Sequence, residues 1–248
     1  MGPDLSFALE LADVADAITT ARFRATDLRV ETKPDLTPVS EADRAAEEAI
    51  RARVAADRPG ESVCGEEFGD DGGAVRWIVD PIDGTRNYVR GNPVWGTLVA
   101  LERNGVLEAS VVSAPALGHR WWAARGEGAW ADGKRCVVSG ISQISDCMVT
   151  TGSASTMPAS WRELTKRAWN DRGYGDFWQH CLVAEGSIDV STDAQLKLWD
   201  YAAVQLLVEE AGGRCTTFEG DPPAPDRSFL ATNGALHDDV VALLARTV

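Results

Sequence analysis

Trp77-Ile78-Val79-Asp80-Pro81-Ile82-Asp83-Gly84-Thr85-Arg86-Asn87-Tyr88 is the stretch on which the reading of this chain turns. Its first three residues are an apolar run that predicts a short buried strand. Pro81 fixes its own φ and biases Asp80 toward extended geometry, so pairing is expected to stop there and the chain to turn. Asp80 and Asp83 then stand at the exit of a rigid element, where both carboxylates can point into one small volume. Like charges that close raise each other's pKa unless a cation lies between them. Gly84 lets the backbone approach a ligand, and the Gly84 and Thr85 amides form an anion site if they open a helix. Acids for a hard cation beside amides for an anion suggest a divalent ion bridging to phosphate. Taken alone, Asp-Pro and Asp-Gly are ordinary turn signals. The apolar run before them, and partners elsewhere in the chain, favour the chemical reading.

Outward from that stretch, 248 residues suffice for one large domain or two closely packed halves. A net charge of −14 argues against nucleic acid or an anionic membrane as partner. It leaves room for an anionic substrate where bound metal reverses the local field. Five scattered cysteines without C-x-x-C spacing suit reduced thiols better than a disulfide framework or a zinc site. His119, His180 and His237 are isolated, and each reads as a surface or satisfied core residue rather than a ligand. No apolar segment approaches the ~20 residues that span a bilayer. Glu10 and Asp13 interrupt the only early apolar stretch, so no signal peptide is read and a cytoplasmic location is expected.

Before the central stretch, residues 4–23 read as an amphipathic helix and 24–37 as a polar, mobile loop. Ser40 to Asp43 match a capping box that opens a helix over 45–56, which gives Asp43 a structural role at a helix N-terminus. Residues 61–64 read as a connector or strand, Gly65-Glu66-Glu67 as a turn and 70–73 as another. After it, a period of two predicts strands over 96–102, 107–113, 119–124 and 128–130. Asn104-Gly105 and Asp132-Gly133 supply tight turns, the second leading into Val137-Val138. The meander's tryptophans, Trp95, Trp121, Trp122 and Trp130, are expected to pack rather than stack a ligand. Further on, strands are read over 147–151, 188–191, 214–218 and 229–232, and helices over 161–169, 178–185, 201–210 and 236–246. Asp200 is a favoured N-cap residue for the third of those helices. Helices and short strands mix throughout, so α+β layers are the expected architecture.

Three segments then combine: Gly65-Glu66-Glu67, Asp80 to Thr85, and the W-D-x-A-A-x-x-L-L-V-E-E-A-G-G pattern from Trp199 to Gly213. Their order and spacing resemble the inositol-monophosphatase-like superfamily, and the likeness covers essentially the whole chain. Within it, the chain is most similar to the histidinol-phosphate phosphatases. That closer likeness rests on residues 33–39, 113–117, 121–126 and 174–177, and on 226–237 with Ala231-Thr232-Asn233-Gly234. The resemblance implies a layered αβαβα sandwich of the inositol monophosphatase / fructose-bisphosphatase type. It also implies one phosphatase unit over 1–248, with a metal-binding half (1–140) and a half completing the substrate site (141–248).

By the same resemblance, Glu66, Asp80, Asp83, Asp200 and the Ile82 carbonyl are metal ligands for Mg²⁺, and Asp43 and Thr85 activate the attacking water with help from Glu66. Glu67 stands behind them. Gly84 and Thr85 receive phosphate, while Asp176, Asp193 and Asn233 fall where the rest of the substrate is contacted, Asn233 from its own chain or from the partner subunit. An acid at Asp176 favours an ammonium group, hence L-histidinol phosphate over inositol 1-phosphate, the alternative substrate; acidity at Asp193 is shared with the inositol enzymes and by itself does not discriminate. For Asp176 a helix cap is the competing structural reading. A homodimer is implied. The non-enzymatic alternative is a regulatory relative acting through RNA or a partner, against which the net charge and the intact acids both speak.

Overall fold

The structure, a computed structural model, describes residues 2–34 and 36–245. Alanine-rich helices begin it, because small side chains let two helices lie close to one another and to a sheet. Helix α1 (Pro3–Arg22) buries Leu5, Ala8, Leu11, Ala12 and Ala15 along one face, at the spacing of a helix period. Helix α2 (Glu41–Asp57) sets Ala46, Ile50 and Val54 beside it, and both cover an eight-stranded sheet. Fully burying a side chain such as Leu11 or Ile50 contributes about 1.5–3 kcal/mol each. In space the strands run Lys134–Arg135, Gly128–Ala131, His119–Ala124, Val106–Ala114, Gly96–Arg103, Val75–Asp83, Ser62–Gly65 and Gly69–Asp70. Phe7 meets Trp77 edge-on at 5.2 Å, and the indole N–H donates to Glu61 Oε2 at 2.7 Å, so this strand's tryptophan is buried with its polar atom satisfied.

Short helix α3 (Thr85–Arg90) leaves that strand and is anchored by Tyr88, whose ring packs on Trp95 and whose hydroxyl donates to the Thr19 carbonyl at 2.7 Å. A second sheet of five strands is ordered Asn170–Arg172, Met148–Thr151, Val190–Leu196, Arg227–Thr232 and Arg214–Thr216. Helices α4 (Ala159–Arg167) and α7 (His237–Leu244) cover its outer face through Trp161, Leu164, Val240 and Leu243. Helices α5 (Asp176–Ala184) and α6 (Leu198–Glu210) fill the space between the sheets, joining Ile78, Leu98 and Trp121 on one side to Phe229 and Ala231 on the other. The order of layers is therefore αβαβα, as the resemblance implied.

Several local expectations change. The 24–37 stretch contains a strand, Val30–Thr32, paired antiparallel with Pro38–Ser40. All three of its residues are exposed, so no apolar alternation marked it. Pairing does not end at Asp80: a register shift absorbs Pro81, whose carbonyl accepts from Thr97 Oγ1 at 2.8 Å, and the ladder resumes at Asp83 opposite Gly96. Val137-Val138 is not a strand, and the Val138 amide goes to the Ala211 carbonyl instead. Helix α4 ends at Arg167, which frees the edge strand Asn170–Arg172. Asp200 is not the N-cap of α6 but its third residue, reaching back to the Lys197 amide at 2.7 Å. Of the quoted segments, Asp35 and Arg246 lie outside the described residues. The tryptophan expectation holds for Trp95 and Trp121, which are fully buried, and Trp122 and Trp130 are half-buried.

The lone histidine reading is testable at His237. Its ring is buried between Thr216 Oγ1 at 3.1 Å and Thr232 Oγ1 at 2.9 Å, and burial, then Arg214, lowers its pKa to about 4. The folded ring stays neutral where the unfolded chain takes a proton, so its contribution is complete above about pH 6.5. It fades as pH falls toward 4, with a slope of up to about 1.4 kcal/mol per pH unit. Denaturant melts of wild type and His237→Gln across this range are expected to converge on acidification. A constant difference would contradict the buried neutral ring.

Candidate active site

Seven chain segments end on one cavity of ≈ 330 Å³. The register shift in Val75–Asp83 turns the Asp80 and Asp83 carboxylates into it from a strand end. Gly84 follows with φ 82°, and a Cβ there would lie 3.0 Å from the Val94 carbonyl oxygen and 3.3 Å from Asp176 Oδ2, so glycine alone fits. The turn after Ser62–Gly65 adds Glu66, the first turn of α6 adds Asp200, the start of α5 adds Asp176, and a second register shift presents Asp193. Four candidate metal ligands that are distant in sequence thus line one space.

Each acid is oriented by a backbone amide or a cation. Asp80 Oδ1 accepts from the Ile82 amide at 3.0 Å, Asp83 Oδ2 from the Phe177 amide at 2.5 Å, and Asp200 Oδ2 from the Lys197 amide. Lys33 sets its ammonium 2.8 Å from Glu66 Oε1 and 2.6 Å from Glu67 Oε1. Burial works against the Lys33 charge, but the bonds to both glutamates outweigh it and raise its pKa. Burial also raises Glu67, to about 7, against the pull of Lys33.

Asp43, fully buried at the start of α2, caps its own helix with one carboxylate oxygen and reaches Thr85 with the other. Its Oδ2 accepts from the Ser40 amide at 2.9 Å and the Ser40 hydroxyl at 2.6 Å, closing the capping box, while Oδ1 lies 3.2 Å from Thr85 Oγ1. The same threonine hydroxyl is 2.9 Å from the Ile82 carbonyl oxygen. Burial raises Asp43 to about 6, with Ser40 opposing and Glu66 adding to the rise.

The electrostatics ask for a cation. Asp80 is 2% exposed, and its pKa is raised well above the usual range by burial, then by the charges of Glu66, Asp83, Asp200 and Asp43. Asp83 is raised by burial, then by Asp176 and Asp200, and burial takes Asp200 to about 7. Among the described residues no three acid, histidine or cysteine side chains are close enough to hold an ion as they stand. Lys33 holds Glu66 on one side of the cavity. An all-oxygen donor set of mutually repelling acids fits a hard divalent ion that keeps several waters and needs only a few protein ligands.

At the far end, Asp176 is no helix cap. Gly175 holds that position, and Asp176 Oδ2 accepts from Asn87 Nδ2 at 2.9 Å. Burial, then the charge of Asp193, raises Asp176 to about 6. Asn233 does not join the cavity: its amide donates to Ser139 Oγ at 2.9 Å and the Ile141 carbonyl at 2.7 Å, and its Oδ1 accepts from the Leu236 amide. It ties a loop to the head of α7. Glu47 escaped the sequence reading, and His180, read as a surface or satisfied core residue, is a satisfied core residue that also reaches the cavity. Glu47, fully buried, accepts from the Glu67 and Phe68 amides at 2.7 and 3.2 Å and pairs with Arg51, so it shapes the turn that carries Glu66. Its position four residues after Asp43, on the same helix face, was the available signal. For His180, a lone histidine inside an apolar helix gave no sequence signal of the cavity.

Residues 2–248 match the Inositol monophosphatase family. A protein named histidinol-phosphatase from Mycobacterium tuberculosis is 49% identical over 254 residues, covering 97% of this chain and 97% of that protein. Another of that name from Streptomyces coelicolor is 49% identical over 256 residues, covering 97% and 96%. Among solved structures, an IMPase from Thermotoga maritima superposes with a TM-score of 0.91 at 31% identity, covering 98% of this chain and 97% of that one.

Proposed function

The chain belongs to the inositol monophosphatase family, and from that premise we propose that it is a Mg²⁺-dependent phosphomonoesterase hydrolysing L-histidinol phosphate to L-histidinol and inorganic phosphate. Enzymes of this family are generally metal-dependent. The observation that carries the reading is the convergence of Glu66, Asp80, Asp83 and Asp200 on one cavity, beside the Asp43–Thr85 contact and opposite Asp176 and Asp193. Magnesium held by these four carboxylates and the Ile82 carbonyl would supply Lewis-acid stabilisation of phosphoryl charge and of the departing alkoxide.

The chain's own groups do the rest. Thr85 Oγ1 orients the attacking water, and Asp43, with a pKa near working pH, accepts its proton as the new O–P bond forms and the ester O–P bond breaks. The proton is returned to the alkoxide, which leaves as the alcohol. Glu66 helps to hold the water. Gly84 and Thr85 amides receive phosphate oxygens at the start of α3. Asp176 and Asp193 face the ammonium end of the substrate; the half 1–140 carries Glu66, Asp80 and Asp83 for the metal, and the half 141–248 adds Asp200 and completes the substrate site. Asn233, spent on Ser139 and Ile141, is left out of the substrate contacts of its own chain.

We assign the enzyme to histidine biosynthesis, as a cytoplasmic homodimer. No helix among the described residues is long and apolar enough to cross a membrane. Phosphate release from histidinol phosphate and from inositol 1-phosphate, compared with Mg²⁺ and with chelator, tests the function. The expected outcome is a kcat/KM at least about tenfold higher for histidinol phosphate, the worth of one well-placed ionic contact. Equal or better turnover of inositol phosphate would assign the site to inositol monophosphatase chemistry instead.

A further inference from the structure

We infer, given the phosphatase reading of this cavity, that His180 is the positioning residue that sets selectivity for an ammonium-bearing substrate, acting through Asp193. His180 is 1% exposed and lies on α5, one turn after Asp176. Its Nδ1 is 2.8 Å from Ser191 Oγ and its Nε2 is 3.1 Å from Asp193 Oδ2. A carboxylate accepts only, so Nε2 carries a proton and donates it to Asp193, while Nδ1 shares a hydrogen bond with the Ser191 hydroxyl. Phe229 meets the ring edge-on at 5.0 Å and keeps it from turning.

The Asp193 carboxylate is thereby locked on one side. Gln179 Nε2 donates to the same Oδ2, and Gln179 is held in turn by Thr150 Oγ1 at 3.3 Å. Both donors meet at Oδ2, which leaves Oδ1 turned toward Gly152 on the cavity wall, where a Cβ would approach it to 3.1 Å. Asp193 belongs to a strand that loses its register between Asp193 and Leu196, so the backbone alone does not fix that side chain. His180 and Gln179 supply the missing constraint, and the fixed oxygen shares the cavity with Asp176. Two acids, one of them pinned by an imidazole N–H and a side-chain amide, make a corner suited to a primary ammonium group. A neutral polyol gains less from it.

The test is a discrimination ratio: kcat/KM for histidinol phosphate divided by kcat/KM for glycerol 2-phosphate, a neutral-alcohol ester, at fixed Mg²⁺. Wild type, His180→Leu, His180→Gln and Ser191→Ala are compared. His180→Leu is expected to lower the ratio about tenfold, chiefly through KM for histidinol phosphate, since it frees a charged partner from a charge-assisted bond. His180→Gln, which can still donate to Asp193, should recover most of the loss, and Ser191→Ala should fall between. A ratio unchanged in His180→Leu, or a loss shared equally by both substrates and not recovered in His180→Gln, overturns the inference and leaves the phosphatase reading intact. A wild type that does not prefer the ammonium substrate overturns the substrate reading and the inference together.

Discussion

Asp83→Asn is expected to lower kcat/KM for phosphate release by about 10³-fold or more, the scale lost when a group stabilising developing charge is removed. The same substitution should leave the fold intact and raise the melting temperature of the chelated protein. Asp83 sits where the bulged strand opens onto the cavity, and its charge is opposed by burial, then by Asp176 and Asp200. Its Oδ2 accepts from the Phe177 amide, a bond that an asparagine carbonyl can keep. The exchange therefore removes repulsion without orphaning a donor. For a chain of this size each kcal/mol relieved shifts the midpoint by roughly 2–4 °C. Activity assays and thermal melts with chelator give the paired readout. A variant that keeps its activity would remove Asp83 from the ligand set, and one that melts lower would show that the carboxylate was stabilising rather than strained.

Removing the metal from the wild-type protein is expected to abolish turnover and to reveal an inverted pH dependence of stability. Burial raises Asp43 to about 6 and Asp200 to about 7 in the folded chain, and Asp80 and Asp83 shift the same way. Unfolded aspartates titrate near 4, so between about pH 4 and 7 the folded state binds more protons than the unfolded one. Stability of the chelated protein then falls as pH rises through that window. Magnesium reverses this by supplying the positive charge that the acids lack. At 100 times its Kd it should add about 2.7 kcal/mol. The increment in melting temperature on adding Mg²⁺ should grow from pH 5 to pH 8. His237 titrates identically with and without metal and drops out of the difference. An increment that is absent, or that shrinks with rising pH, would count against the acids as a shared cation site.

Much of this was visible in the residues themselves. The Asp80–Thr85 stretch, the capping box at Ser40–Asp43 and the Trp199–Gly213 pattern located the acids and the helices that hold them, because caps, prolines and apolar periods act over a few residues. The same locality explains the misses. Val30–Thr32 pairs through its backbone while exposing its side chains, so its sequence looks like a loop. The strand through Pro81 continues because Thr97, from the neighbouring strand, takes the carbonyl that the proline leaves unpaired. Asp176 is equally good as a helix cap or a pocket acid, and the start of α5 after Gly175, with the contact from Asn87, 89 residues earlier, decides between them.

By itself the sequence determined which residues could do chemistry and which elements would carry them: acids at element ends, glycine where the chain must turn under a ligand, alanine faces where helices lie close. Only the folded structure decided which acids share a volume, that Asn233 is spent on Ser139 and Ile141, and that Glu47 and His180 stand behind Glu67 and Asp193. The reason is one of range. Propensity and capping are set by neighbours along the chain, whereas Coulomb repulsion and desolvation depend on distance through space, which the packing of two sheets around α5 and α6 establishes.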